Sequence, residues 1–198
     1  MKNIVFDLGN VLLRFYPEEY LSQHFCKEIY EELMIIIFCS DEWVQLDLGH
    51  LLIDDVIDIF NKRYPKYQKE MTFTLKNWTD MLIPIKENVE VLKECQQKGY
   101  SLYVLSNFHK EAIFTMKEKY DFFSLFDGGI ISGFEHVIKP DKKIYELLFE
   151  RYHLDPKESL FIDDSLANIE TAKHLGMNGI HLRFDTNLKE ELKKLKIL

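Results

Sequence analysis

The feature that most constrains the fold is the regular alternation of short apolar segments with helical patterns after Pro84. Four apolar segments, each typical of a buried strand, lie at residues 100–105, 129–132, 160–162 and 178–182. Residues 110–120, 141–152 and 166–175 instead carry apolar side chains at the spacing of an amphipathic helix. Strands that alternate with such helices build βαβ units, so the sequence predicts a parallel sheet covered by helices.

The segment before Pro84 has a different pattern. Residues 3–6 are apolar and predict another buried strand, which ends at Asp7. From 17 to about 76 the pattern is mainly helical, most clearly at 20–25 and 53–60, and no strand is evident. We therefore predict an α/β core domain made of residues 1–14 and 84–198. An all-helical domain, residues 15–83, is inserted after the first strand.

Composition limits the partners and the compartment. Lys and Arg total 25 against 33 Asp and Glu, a net charge of −8, which argues against a nucleic-acid partner. The longest apolar run, 33–39, is far shorter than the ~20 residues of a membrane span, and the N-terminus lacks a signal-peptide pattern. Cys26, Cys39 and Cys95 form no metal or disulfide pattern, and we expect them to be core or half-buried. We predict a cytoplasmic protein with no membrane partner, while its oligomeric state is unknown.

Polar side chains follow the predicted strands where ligands bind in parallel sheets, at the carboxyl ends. Asp7 follows the first strand, Ser106-Asn107 the second and Asp163-Asp164 the fourth, while Lys139-Pro140 comes after the third. Singly, each is typical of a turn or a helix cap. Together, the carboxylates would repel one another unless a cation joined them, and Mg²⁺ suits such oxygen ligands. The sequence therefore predicts a Mg²⁺ site beside groups that can hold a phosphoryl group.

Four motifs in order carry a family resemblance. The segments VFDLGNVL, VLSN, IKPDKKIYELL and FIDDSLANIETAKHLGM resemble the four motifs of haloacid dehalogenase-like (HAD) hydrolases, along essentially the whole chain. The first is of the DLGNV type, and QLDLGHLLIDDVIDIF resembles the cap helices of that branch, which includes a bacterial sugar-1-phosphate phosphatase. The resemblance implies a three-layer, Rossmann-like α/β core with an inserted helical cap, of the kind found in subfamily IA.

The resemblance also implies roles for individual residues. Asp7 matches the nucleophile that forms an aspartyl-phosphate and also binds Mg²⁺, and the backbone carbonyl of Gly9 matches a further metal ligand. Ser106 and Asn107 match the residues that hold the transferring phosphoryl group. Lys139 matches the lysine that neutralises Asp7 and the phosphate.

Two further parts of the fourth motif complete the implied site. Asp163 and Asp164 match the acidic metal-binding pair. Asn168 lies one helical turn after Asp164, so its side chain can point back toward the site without contacting substrate.

The sequence departs from the family pattern at Gly9. Family phosphatases usually have a second Asp there, which protonates the leaving alcohol and later activates water. General acid–base catalysis is worth about 10²–10⁴-fold, so either another group replaces this Asp or poor leaving groups react slowly. The candidates in the insertion are Glu18, Glu19, Asp47 and His50. We expect His109, which follows the second core strand, to be an exposed histidine at a helix start.

The predicted activity is a Mg²⁺-dependent phosphatase of small phosphorylated metabolites, with sugar phosphates suggested only by analogy. Two alternatives are a catalytically weak binding or regulatory protein and a haloacid dehalogenase. A mutase would ordinarily need the second Asp that is absent here. We also expect the helical insertion to close over the site as a mobile lid hinged near 13–16 and 83–85, with Tyr16, Trp43, Asp47 and His50 as candidate lining residues.

Overall fold

The computed structural model describes residues 1–198 and contains the predicted parallel sheet. Its central strand β1 (Asn3–Phe6) lies between β4 (Ser101–Ser106) and β6 (Ser159–Asp163). The edges are β5 (Gly128–Ile131) beside β4 and β7 (Asn178–His181) beside β6. All four pairings are parallel, so the carboxyl ends of the strands share one edge. The predicted strands match the observed ones to within one residue at each end.

Helices cover both faces of the sheet. All four residues of β1 are buried, and their side chains alternate between the two faces, so each face needs a covering layer. Ile4 and Phe6 belong to one apolar cluster, while Val5 belongs to the other. The first cluster includes side chains of α6 (Lys86–Gln97), α7 (Ala112–Lys119) and α11 (Leu188–Lys194). The second includes side chains of α9 (Lys142–Tyr152) and α10 (Leu166–His174). This is the predicted three-layer α/β core.

The helical insertion begins and ends at a short antiparallel ribbon. Its strands are β2 (Leu13–Phe15) and β3 (Leu82–Pro84), with Leu13 opposite Pro84. The sequence analysis did not predict these strands, since three residues are too few to show an alternating pattern. The ribbon coincides with the expected hinge, and we propose it as the boundary of the cap. Movement of the cap as a lid stays a prediction.

Five α-helices and a π-helical turn lie between the two ribbon strands. They are α1 (Pro17–Leu21), α2 (Lys27–Leu33), the turn Met34–Phe38, α3 (Asp41–Asp47), α4 (Ile53–Arg63) and α5 (Gln68–Asn77). The helical spacing at 20–25 was misleading, because α1 ends at Leu21. No helix in the structure has the length and apolar character needed to cross a membrane.

The cysteine prediction was right for one residue of three. Cys95 is buried on α6, but Cys26 and Cys39 are exposed in the cap, and none forms a disulfide. Cys26 directly precedes α2 and Cys39 directly follows the π-helical turn, so both lie in connections between helices, where their side chains face solvent.

The cap also contacts the core at a second place, through the segment 47–49 that follows α3. The Ser132 hydroxyl donates a 2.6 Å hydrogen bond to the backbone carbonyl of Asp47. The ring Nδ1 of His136 donates to the carbonyl of Leu48 at 2.8 Å. At Gly49, which has φ +68°, an added Cβ would lie 2.0 Å from the carbonyl oxygen of Gly133. Close backbone approach therefore fixes this cap segment against α8 (Ser132–Glu135).

Gly49→Ala should lower the free energy of unfolding by roughly 2–4 kcal/mol. Alanine is strained in the left-handed conformation, and its Cβ would also collide with the Gly133 backbone. Gly99→Ala is the matched control: its φ is also positive, at +84°, but an added Cβ meets nothing within 4 Å. That variant should lose only about 1 kcal/mol. Urea unfolding of both variants checks the difference. Equal losses would show that the contact with Gly133 does not constrain the cap.

Candidate active site

The parallel sheet brings four predicted residues together at one edge. Asp7 directly follows β1, while Ser106 and Asp163 are the last residues of the two neighbouring strands. Lys139 comes from the segment before α9. All four are buried, and Asp163 is fully inaccessible to solvent. Burying two carboxylates and an ammonium is unfavourable unless the charges are paired, so the site depends on that pairing.

The ammonium group of Lys139 lies between two carboxylates. Its Nζ is 2.9 Å from Asp7 Oδ1 and 2.6 Å from Asp163 Oδ2. Burial alone would lower the pKa of Lys139, but the negative charges of Asp7 and Asp163 outweigh it and raise the pKa above its ordinary value. The two neighbouring carboxylates therefore favour the ammonium form of Lys139.

The neighbours of Asp7 shift the pKa of its carboxyl in opposite directions. Burial raises the pKa of its carboxyl, and the Asp163 charge acts in the same direction. The Lys139 charge and a hydrogen bond from Ser106 lower it. Asp7 Oδ1 is buried and, despite the nearby ammonium, accepts no hydrogen bond of good geometry. A buried carboxylate oxygen in this condition has spare capacity to bind a cation.

Asp163 is fixed by donors from the fourth motif. The backbone N–H of Ser165 donates to its Oδ1 at 2.8 Å, and the Asn168 side-chain amide lies 3.0 and 3.1 Å from its two oxygens. Asn168 therefore points back at the site, as its spacing on the helix predicts. These donors and Lys139 together occupy both oxygens of Asp163.

Asn107 fixes the position of Lys139. Its side-chain oxygen accepts from the Lys139 backbone N–H at 2.8 Å, and its amide donates to the Lys139 carbonyl at 3.1 Å. This pair of bonds links the end of β4 to the loop before α9. The Asn107 side chain thus orients the lysine, whereas the Ser106 hydroxyl contacts Asp7 itself.

The three carboxylates at this edge fit a divalent cation. Oxygens of Asp7, Asp163 and Asp164 lie within 4.8 Å of one another. Asp164 is partly exposed, and its Oδ2 accepts a 3.0 Å hydrogen bond from Asn10. Burial raises the pKa of Asp164, and that hydrogen bond opposes the rise. Free oxygens on Asp7 and Asp164 are the hard ligands that Mg²⁺ prefers, so the donor set suits this ion.

The expectation that His109 is exposed was wrong. Only 3% of its surface is accessible, and neither ring nitrogen has a hydrogen-bond partner. The rings of Trp43 and Trp78, both from the insertion, lie 4.6 and 4.4 Å from the imidazole. Burial lowers the pKa of His109 to about 3, so the ring is neutral. No local pattern could have revealed this, because both tryptophans are more than 30 positions away in the sequence.

Asp47 is the cap carboxylate that faces this histidine. Its Oδ1 lies 3.5 Å from His109 Nε2, and about a fifth of its side chain is exposed. Burial and the negative charge of Asp7 raise the pKa of Asp47 to about 7, and Lys139 opposes the rise. With His109 neutral, the pair is a contact between polar groups and not an ion pair.

The other candidates from the insertion are placed differently. Glu18 and Glu19 are exposed on α1, and Glu19 pairs with Arg14. His50 is exposed, bonds to Gln45 and stacks on His136. Of the expected lining residues, Asp47 and Trp43 therefore lie together beside His109. The hydroxyl of Tyr16 donates to the Asp80 carbonyl within the cap.

Known proteins resemble the chain over nearly its full length. A sesquiterpene phosphatase of Aspergillus oryzae is 28% identical over 98% of this chain and 96% of its own length. A phosphorylated carbohydrates phosphatase of Thermotoga maritima is 25% identical over 91% of this chain and 84% of its own. Two other curated relatives are much longer, and the chain spans 34% and 15% of them.

A solved structure shares the fold. A HAD family enzyme of Bacteroides thetaiotaomicron, crystallised with magnesium and inorganic phosphate, superimposes with a TM-score of 0.77 and is 21% identical. The match covers 96% of this chain and 98% of that one. The profile of the haloacid dehalogenase-like hydrolases matches residues 1–176, which include every charged residue of the strand-end cluster. The chain is therefore a member of the haloacid dehalogenase-like hydrolase family.

Proposed function

We propose that the protein is a Mg²⁺-dependent phosphatase that hydrolyses small phosphorylated metabolites through an aspartyl-phosphate on Asp7. The observation that carries this proposal is the buried Asp7 carboxylate, which lies 2.9 Å from the Lys139 ammonium inside a cluster of three carboxylates. A nucleophile, a fixed cation and oxygen ligands for a metal are the groups that phosphoryl transfer requires.

The proposed reaction has two displacements. In the first, an Asp7 oxygen forms a bond to phosphorus while the bond from phosphorus to the leaving oxygen breaks. In the second, water attacks phosphorus, the bond to Asp7 breaks, and inorganic phosphate leaves. Lys139 neutralises charge on Asp7 and on the phosphoryl oxygens, and Ser106 donates a hydrogen bond at the same place. Asn107 keeps Lys139 in position through its backbone.

For the metal, we propose Asp7 and Asp164 as the side-chain ligands, together with the backbone carbonyl of Gly9. Asp163 completes the acidic group, and its oxygens already bind Lys139, Ser165 and Asn168. When bound, Mg²⁺ supplies positive charge that the phosphoryl group needs during transfer. The magnesium in the Bacteroides enzyme supports this assignment.

The substrate is proposed as a phosphate monoester of a small organic alcohol. Two relatives support this class but differ in the alcohol, since one is named for sesquiterpenes and the other for carbohydrates. Sugar phosphates therefore remain one proposed class. Phe15, Phe38 and Trp43 form a partly exposed aromatic cluster. Trp43 also packs on His109, the neighbour of Asp47, and this aromatic surface favours an apolar alcohol as a second class. Turnover of both kinds of ester in one panel separates the two.

Two other activities are less well supported. A dehalogenase is among the curated relatives, at 25% identity over 56% of this chain. Dehalogenation needs no cation, so it gives no role to the cluster of Asp7, Asp163 and Asp164. A binding or regulatory role would require no turnover, and a phosphatase assay with and without Mg²⁺ distinguishes it. Release of chloride from a 2-haloacid would instead favour the dehalogenase.

Asp7→Asn should reduce phosphatase turnover by more than about 1,000-fold, because it removes the nucleophile. The protein should remain folded, since asparagine has nearly the same shape. The control is Asp58→Asn, an exposed carboxylate on α4, which should leave turnover unchanged. Steady-state kinetics with an aryl phosphate make the comparison. Near-normal turnover by Asp7→Asn would overturn the covalent mechanism.

Asp164→Asn should raise the Mg²⁺ concentration for half-maximal activity by about tenfold or more, because one anionic ligand is lost. The KM for substrate should change much less. A Mg²⁺ titration at saturating substrate measures the shift, and isothermal calorimetry with Mg²⁺ alone measures binding independently of turnover. Equal activity of the unaltered protein in EDTA and in Mg²⁺ would contradict the metal assignment.

A further inference from the structure

We propose that Asp47, a residue of the cap, is the general acid and base of the reaction and takes the place of the side chain missing at Gly9. This inference rests on the proposed phosphatase function and adds a catalytic residue to it. The reaction needs such a group, because an alkoxide is a poor leaving group unless it is protonated as it departs.

The position of Asp47 is set by contacts between cap and core. Asp47 is the last residue of α3, and its own carbonyl accepts the hydrogen bond from Ser132. The next two residues are held by His136 and by the close approach of Gly49 to Gly133. These three contacts hold the segment that carries the Asp47 carboxylate more precisely than a free loop would, and catalysis requires that precision.

The surroundings of Asp47 are partly closed to water. His109 covers one side of the Asp47 carboxyl, and the rings of Trp43 and Trp78 pack against the His109 imidazole. About a fifth of the Asp47 side chain stays accessible, so a substrate group can reach it. The buried ring nitrogens of His109 have no other partner, and the nearer one is 3.5 Å from Asp47 Oδ1. His109 is therefore a neutral polar neighbour that packs against Asp47.

The charges around Asp47 suit a group that both gives and takes a proton. Burial and the Asp7 charge favour the neutral carboxylic acid, whereas Lys139 favours the carboxylate, and His109 contributes no charge. The resulting pKa of about 7 lies near neutral pH, where both forms of the carboxyl are available. The other titratable groups near this segment are His136, which bonds to the Leu48 carbonyl, and His50, which stacks on His136.

No other candidate has this placement. Gly9 has no side chain to transfer a proton. Glu18 and Glu19 are exposed on α1, and His50 is exposed against His136. Asp47 alone among the cap candidates is partly buried and contacts both the segment that follows β4, through His109, and the segment that follows β5, through Ser132.

Protons balance over the two displacements, because Asp47 gives one proton and then takes one back. As Asp7 bonds to phosphorus and the bond to the leaving oxygen breaks, neutral Asp47 gives its proton to that oxygen, and the alcohol departs. The Asp47 carboxylate then accepts a proton from the water that attacks phosphorus. The bond to Asp7 breaks, phosphate leaves, and Asp47 is again protonated for the next turnover.

The test is a series of phosphate monoesters whose alcohols range from acidic phenols to simple alkanols. With the unaltered protein, kcat/KM should depend only weakly on leaving-group acidity. With Asp47→Asn the dependence should be steep: little change for the most acidic phenol and a loss of about 10²–10⁴-fold for alkyl esters. Glu18→Gln, an exposed cap carboxylate, is the matched control and should keep the shallow dependence.

A loss of equal size with every ester, or no loss at all, would overturn the role of Asp47 and leave the phosphatase assignment standing. Absence of turnover by the unaltered protein with every ester and Mg²⁺ would instead overturn the proposed function. These two failures are therefore distinguishable from the same data.

A second comparison separates catalysis from structural damage. Gly9 has no positive φ, and an added Cβ there meets nothing within 4 Å, so Gly9→Asp is sterically acceptable. In the Gly9→Asp background a new acid is present, and Asp47→Asn should cost less than about tenfold with alkyl esters. If Asp47 only supports the fold, Asp47→Asn should cost the same in both backgrounds, which would contradict the inference.

Discussion

The site depends on one buried interaction, the Lys139 ammonium between the carboxylates of Asp7 and Asp163. Removing one partner of such a buried arrangement typically costs about 3–5 kcal/mol, because the remaining charge is left unpaired. The surrounding groups serve this arrangement: Asn107 holds the lysine backbone, and Asn168 and Ser165 hold Asp163. Two carboxylates share one ammonium, so the site keeps an excess of negative charge, and that excess explains why it suits a divalent cation.

The architecture follows from the need to hold this charge cluster. The central strand is buried on both faces, and its parallel neighbours end at the same edge, so the cluster is assembled on rigid elements. In the proposed reaction, backbone groups and buried side chains of the core bind the metal and the phosphoryl group. What the core lacks, because of Gly9, is a group to move the proton. The cap lies where it can supply one, since Asp47 is fixed against α8 and faces His109, which follows β4 at the carboxyl edge of the sheet.

Sequence patterns predicted the core and its strand-end residues well, because both depend on local periodicity and on residues directly after strands. Asp7, Ser106, Lys139 and Asp163 were named from sequence and lie together. The ribbon of β2 and β3 was missed because its strands are too short to show a pattern. The burial of His109 was missed for a different reason: it depends on Trp43 and Trp78, which approach it only through tertiary packing. Tertiary packing also distinguishes Asp47, which faces the buried His109, from the three other cap candidates, which are exposed.

The central claim is that Asp7 carries the phosphoryl group during turnover. The most direct measurement is rapid acid quenching of the protein during turnover of an aryl phosphate, followed by borohydride reduction and peptide mass spectrometry. We expect a phosphoryl group on the peptide that contains Asp7, and conversion of that aspartate to homoserine on reduction. We expect no such product in Asp7→Asn. An unmodified Asp7 during demonstrated turnover, or a phosphoryl group on another residue, would contradict the account.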